Sequence, residues 1–220
     1  DEAWLEDRKD NLLVAIHVLN GRFGIASLDI SSGRFVLQEV ASEDQLISEI
    51  CRLNPAELLV NEDWLLLAGL KQRSGLCKRP PWHFDTESAR QRVLKQFNAH
   101  DLKGFGCESL SVAISAAGAL LQYVQDTQKS TLPHIQGIRT ETSDDCIFLD
   151  ASSRRNLELD FHHTGQMQFT LLGVLDKTAT AMGSRCLRRW LHRPLRDRKL
   201  LQHRYVSIDS LLNNKLYREL

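Results

Sequence analysis

An α/β unit followed by an all-α segment is the fold class this sequence predicts, and three observations carry it. Residues 11–40 hold three β-rich runs separated by the turn dipeptide Asn20-Gly21 and by Ser31-Ser32-Gly33, the spacing of a hairpin meander. Residues 109–134 hold an alanine-rich run in which Leu110, Ala113, Ile114, Ala117, Leu120, Leu121 and Val124 mark one buried helix face. Beyond Pro133 the chain reads as short, capped, amphipathic helices.

Residues 11–19 (NLLVAIHVL) are almost wholly apolar, which predicts a strand buried on both faces. Residues 22–30 and 34–40 follow as the second and third strands. Ser42 stands three residues before Gln45, a capping-box spacing, and starts a helix with Leu46, Ile47, Ile50 and Cys51 on one side. That helix stops before Asn54-Pro55, and residues 56–60 form a short buried strand. A helix is expected over 64–70. Residues 79–84, with two prolines, are confined to an edge strand or extended segment. Thr86 is the expected cap of a helix reaching Phe97. Pro133 ends the long helical run by biasing Leu132 away from helical geometry. Residues 146–149 are a brief extended run, Asp150 caps ASSRRNLEL, and FTLLGVLD is a short apolar helix. Residues 184–191 form another, closed by Pro194, and Asp197 caps a last one striped by Leu201, Tyr205, Ile208 and Leu212. A three-strand meander followed by strand–helix crossovers is the order of ribonuclease H-like folds, with a mixed sheet and flanking helices; that class carries many functions.

The 28 basic and 28 acidic side chains cancel, so net charge gives no nucleic-acid or acidic-partner signature. The distribution is uneven, with eight Arg/Lys residues against one carboxylate, Asp197, between Arg185 and Arg204. Five scattered cysteines without a CxxC pair speak against a zinc ribbon or disulfide scaffold and fit a reducing cytosol. No apolar run approaches the ~20 residues of a membrane span, and the N-terminus carries no signal pattern. The opening DEAWLEDRKDN has no initiator Met and reads as the interior of a longer protein.

LDASSRRNLEL and TLLGVLDKTATAMGSRCLRRWLHRPLRD resemble the start of the core (lever) domain of bacterial MutS mismatch-repair proteins. DNLLVAI, LDISSGRF, NPAELL, LLQYVQDTQ and TLPHI resemble the MutS connector domain and its exit helix. The resemblance covers nearly the whole chain in the family's order. It implies a ribonuclease H-like connector over residues 1–133 and the incomplete N-terminal part of the helical core over 134–220. It also implies a parent that binds mismatched duplex DNA, uses ATP and Mg, dimerises through its ATPase region, docks MutL and works in the cytoplasm. Two family motifs are missing from this sequence. None of the eight Phe residues has Glu two positions on, as the mismatch reader requires, and no Gly-Lys pair offers a Walker A loop. The expected role is that of a connector, relay and MutL-docking module, not an enzyme, holding no cofactor of its own.

A metal-dependent nuclease needs convergent carboxylates, yet residues 11–19 carry none, and Asp29, before Ser31-Ser32-Gly33, is expected to accept turn hydrogen bonds. Glu62 and Asp63 follow the fourth strand with nothing obliging them to meet Asp29. His162-His163 are not expected to ligate a metal, because neighbours do not share a helix face and no Cys/His pair completes a site. His17 is expected to be a hydrogen-bonded, partly buried strand residue. On the helix of 86–97, Ala89, Val93 and Phe97 can face the sheet, leaving Arg90, Gln91, Lys95 and Arg92 as the candidate MutL-docking face or a solvated one. Arg185, Arg188 and Arg189 are candidate phosphate contacts, and a nucleic-acid-binding module acting through 185–204 is the alternative function. The competing reading pairs these arginines with carboxylates. Arg154 and Arg155, near a capped helix start, oppose the helix dipole and call for an acidic partner. The junction at 131–137, with a proline and a glycine, is the candidate hinge.

Overall fold

A computed structural model of the chain describes residues 10–65, 67–128 and 132–213. Three strands, β1 (Leu12–Leu19), β2 (Arg22–Asp29) and β3 (Arg34–Val40), form the expected antiparallel meander. Asn20 and Gly21 both take positive φ in the first turn, the requirement of a tight two-residue hairpin. In the second turn Asp29 Oδ1 accepts from the Ser31 N–H at 3.0 Å and from Ser31 Oγ at 2.6 Å, while Oδ2 accepts from Ser32 Oγ at 2.6 Å. Burial pushes the Asp29 carboxyl up, but these bonds outweigh it and hold it below the ordinary carboxylate range. A depressed folded-state pKa contributes stability above the unfolded value, ~3.9, and loses it as pH falls through the folded value. Asp29→Asn is therefore expected to flatten the acid limb of a melting-temperature profile below about pH 4; an unaltered limb would show that the turn does not hold the ionised form.

Helix α1 (Glu43–Leu53) starts as expected, with Ser42 Oγ accepting from the Gln45 N–H at 3.3 Å. Gln45 Oε1 reaches back to the Ala41 N–H at 3.0 Å, one residue before the cap. Strand β4 (Glu57–Asn61) runs parallel to β1. Helix α2 is only Ala68–Lys71, and Trp64 lies outside it in a bend, packing tilted against Phe23. The edge strand falls earlier than expected: β5 is Leu76–Arg79, and Pro81–Phe84 is a 3-10 turn. Pro80 and Pro81 lack N–H donors and so end the ladder with β4. Helix α3 (Thr86–Phe97) is capped by Asp85, whose Oδ1 accepts from the Ser88 N–H at 2.9 Å. Thr86 is the first helical residue instead, and its hydroxyl pairs with Ser115 Oγ.

Helix α4 (Ser111–Gln128) lies across the sheet with α3 beside it. Alternate residues of β1 divide between two cores. Leu13 and Ala15 join Leu28, Phe35, Leu37 and Leu59 under α4. Leu12, Val14 and Ile16 join Ile25, Leu58, Leu46 and Ile50 under α1. The near-continuous apolar run of β1 follows from this burial on both faces.

Residues beyond 133 add an unanticipated sixth strand, β6 (Ile138–Thr140), parallel to β3, giving the order β5-β4-β1-β2-β3-β6. The candidate hinge falls partly on Thr131, outside the described residues. Its described part is anchored: Leu132 and Ile135 are buried in the core, and Gln96 Nε2 donates to the carbonyl oxygens of both at 2.9 and 3.4 Å. A short chain of helices follows, α5 (Ala151–Asn156), α6 (Leu171–Leu175), α7 (Ala181–His192) and α8 (Arg198–Asn213). Asp150 caps α5 as expected. Helix α7 begins three residues earlier than expected, with Thr180 as its cap, and Ser184 is buried inside it, hydrogen-bonded to Asp176. Asp197 Oδ1 accepts from the Lys199 N–H at the start of α8. Tyr205, Ile208 and Leu212 of α8 are exposed. No helix of the described residues is long and apolar enough to cross a membrane.

Candidate functional site

The four residues expected on the outer face of α3 do not form one patch. Arg90 turns to Glu108, its guanidinium 2.6 Å from Oε1, and the same carboxylate accepts from the Leu102 N–H at 2.8 Å. Arg92 reaches the His83 carbonyl at 3.3 Å on the other flank. Gln91 and Lys95 are exposed one helical turn apart, beside a shallow hollow completed by Leu94, Asn98, Ala99 and His100. Gln91 Nε2 donates to Glu87 within the helix at 3.0 Å.

The basic helix α7 is turned largely inward, against the α/β unit. Arg189 Nη1 lies 2.9 Å from Asp10 Oδ1, and Arg34 reaches the same carboxylate at 3.2 Å. Arg188 pairs with Asp160, and His192 Nε2 sits 3.0 Å from that carboxylate. Burial raises the Asp160 pKa, but His192 and Arg188 outweigh it and hold the group low. Arg193, just past the helix, pairs with Glu141, which also takes Arg52 of α1 at 3.3 Å. The Asp10 and Asp160 pairs, with Arg52, line a cleft of about 310 Å³ between α1, the start of β1 and α7. Two of the three candidate phosphate contacts, Arg188 and Arg189, are thus committed to carboxylates of this chain. Arg185 has no carboxylate partner among the described residues and borders a hollow of about 520 Å³ with Arg34, Arg139 and Arg189. Farther along, Arg204 stacks over Trp190 at 4.0 Å.

A second seam joins α1 to α5. The acidic partner that Arg154 calls for is Glu49, 3.8 Å away, and Arg154 Nη1 also donates to the Ser48 carbonyl at 2.8 Å. Glu49 holds Arg52 as well, at 2.7 Å. Between the two seams, the N–H of Ile147 donates to the Pro194 carbonyl and the N–H of Arg196 to the Asp145 carbonyl, with Cys146 bridged to Leu195. The helical segment is therefore tied to the sheet unit by ion pairs, and by backbone to residues 145–147 beyond β6.

Other expectations change in detail. His17 is partly buried but stacks on Phe84 at 5.5 Å, and its Nδ1 has no hydrogen-bond partner among the described residues; burial lowers its pKa. His162 and His163 do converge on a third ligand-bearing side chain, Glu158, their donor atoms all within 4.8 Å of one another. The helix-face objection fails because residues 157–165 form turns, not a helix. Glu158, at a positive φ of 47°, was invisible as a partner because backbone handedness at that residue is not written in the sequence pattern.

Two family descriptions match the chain. MutS domain II matches residues 11–136, more than half of the chain, from the first residue before β1 to the anchored segment after α4. MutS domain III matches residues 152–220, beginning within α5. A mixed sheet covered on both faces, followed by helices pinned to it by arginine–carboxylate pairs, thus coincides with successive MutS domains, and the chain belongs to the MutS family of DNA mismatch repair proteins.

Proposed function

We propose that this chain is the relay and docking part of a MutS protein, coupling the sheet unit to the helical domain while presenting a face to MutL. The observation that supports the relay is the double seam: Glu49 with Arg52 and Arg154, and Asp10 with Arg34 and Arg189. Partly buried pairs of this kind transmit a displacement of one layer to the other because breaking them leaves charge uncompensated. The strand order β5-β4-β1-β2-β3, with β1, β4 and β5 parallel, supports a ribonuclease H-like connector. The proposed partners are MutL, mismatched duplex DNA held by the whole protein and a second MutS protomer, and the proposed address is the cytoplasm. ATP and Mg are proposed for the ATPase of the parent protein, and no cofactor for the residues of this chain.

For docking, Gln91 and Lys95 are the exposed side chains of the candidate face, Gln91 bonded within its own helix to Glu87, whereas Arg90 and Arg92 are drawn to other elements. Lys95→Glu is expected to weaken MutL binding to this chain at least tenfold with an unchanged far-ultraviolet circular dichroism spectrum. Equal binding would remove α3 from the docking surface. The hollow beside Arg185 favours a second reading, phosphate contact through α7. In that case Arg185→Glu would lower duplex affinity, and affinity would fall steeply with salt.

A further inference from the structure

We propose that Glu158, His162 and His163 form a binding site for a zinc-class divalent cation, on the turns that join α5 to α6. Tetrahedral zinc with ligand bonds near 2.0–2.1 Å sets its donor atoms about 3.3 Å apart. Glu158 Oε1 lies 3.4 Å from His162 Nε2 and 3.6 Å from His163 Nδ1. Two of the three donor–donor edges thus match those of a tetrahedron, and all three donors lie within 4.8 Å of one another. Two imidazoles and one carboxylate suit zinc, copper or nickel and not calcium or magnesium, which take oxygen sets.

The ligands are held from behind. Glu158 keeps its left-handed conformation because its N–H donates to the Arg155 carbonyl at 3.0 Å and its carbonyl accepts from the Leu171 N–H at 2.9 Å. The next residue, Leu159, is buried. A non-glycine residue at positive φ costs free energy that its surroundings must offset, and here it aims the carboxylate at the two rings. The His162 ring is set by Thr164, whose Oγ1 lies 2.7 Å from Nδ1, and by Phe169, tilted against it at 5.5 Å. A hydrogen-bonding outer partner fixes ring and tautomer in metal sites, and the Thr164 hydroxyl holds that position here. The Thr164 N–H also points at Nδ1, at 3.2 Å, and the Nε2 proton then faces Glu158. Metal uptake requires the other tautomer: the ion takes the Nε2 lone pair, the Nε2 proton passes to solvent, Nδ1 takes one up and donates to Thr164 Oγ1, and the Thr164 N–H gives up its bond to Nδ1. The side chain of His163 is 77% exposed and that of Glu158 40%, so an ion enters from solvent and water fills the fourth corner. Two residues from Glu158, Asp160 receives Arg188 and His192 of α7; a filled site would brace the turn that carries this acceptor.

The test is calorimetric titration of Zn²⁺ into the 220-residue chain, with Co²⁺ as a spectroscopic stand-in. One Zn²⁺ per chain is expected, lost in His162→Ala and in His163→Ala, the latter an exposed position where misfolding is not at issue. Thr164→Val is expected to weaken binding about 10–100-fold, the usual effect of losing an outer partner. The Co²⁺ complex should lack the intense near-ultraviolet thiolate charge-transfer band, which separates this site from the five cysteines. Absence of Zn²⁺ binding, undiminished binding in His163→Ala, or a thiolate band that persists as the sole signal would each overturn the assignment.

Discussion

Glu49→Ala is expected to lower the unfolding free energy of this chain by about 3–5 kcal/mol, the cost of leaving a buried charge without its partner. The side chains of Glu49, Arg52 and Arg154 are 7%, 8% and 9% exposed, so water does little to screen them. Burial works against the Arg52 charge, but Glu49 and Glu141 outweigh it and raise its pKa. For Arg154 burial wins, and its pKa is lowered even with Glu49 present. Removing the carboxylate therefore falls hardest on Arg154, which keeps only the neutral acceptors of Ser48, the carbonyl at 2.8 Å and the hydroxyl at 3.1 Å. Arg52 retains Glu141 at 3.3 Å. Pairing Glu49→Gln with Arg154→Met is expected to recover most of the loss, because two apolar or neutral side chains replace an ion pair at little cost. Urea unfolding of the two single variants and the double variant measures this. A Glu49→Ala loss under about 1 kcal/mol, the range of an exposed pair, would mean that the seam does not bind the two parts together.

That seam shows which features of the fold the sequence could and could not disclose. The meander was legible because its turns use residues that tolerate positive φ, Asn20 and Gly21, and because alternate residues of β1 feed two cores. Helix α4 was legible because its buried positions repeat at helical spacing. Strand β6 was not: three residues, Ile138–Thr140, are too few for a period, and only their pairing opposite Phe35, Val36 and Leu37 makes them a strand. The edge strand lies earlier than its prolines suggest, because Pro80 and Pro81 mark its end and do not belong to it. The need of Arg154 for an acid does not follow from the helix dipole as expected, because α5 has only six residues and places Arg154 and Arg155 in its last turn, where the dipole favours a cation; it follows from burial, and Glu49 lies on another element. Arg189 and Asp10 meet across nearly the full length of the described chain, a contact with no local trace. The Glu158–His162–His163 cluster was missed for a related reason. Its convergence depends on one left-handed residue and two successive turns, and no helical or strand period encodes them.

Gly24→Ala is expected to destabilise the chain by about 3 kcal/mol, near the upper range for overpacking a core. A Cβ at this position of β2 would stand 2.2 Å from the Val112 carbonyl carbon and 2.4 Å from the Ala113 nitrogen. These are backbone atoms in the first turn of α4 and cannot rotate aside, so the whole helix end must lift. The adjacent strand explains why the helix sits so close. Gly24 is paired across β2 and β3 with Glu39, whose Oε1 accepts from the Val112 and Ala113 N–H groups at 2.9 and 3.1 Å. The glycine opens the space and the neighbouring carboxylate satisfies two N–H groups that the first helical turn leaves without partners. Lifting the helix loses both bonds along with the packing of Ala113 and Ala116 against the sheet. Gly69→Ala in α2 is the matched control: nothing lies within 4 Å of its added Cβ, so alanine there is expected to be neutral or to stabilise by up to about 1 kcal/mol. The comparison also bears on function, because Gly118 of α4 meets Ala89 of α3 at a similarly close approach. A displaced α4 therefore carries α3, and with it Gln91 and Lys95, away from its seat. If α3 is the docking face, Gly24→Ala should weaken MutL binding at temperatures where the chain is still folded, whereas Gly69→Ala should not. Equal urea midpoints for Gly24→Ala and the unaltered chain would mean that α4 does not rest on β2 at this point.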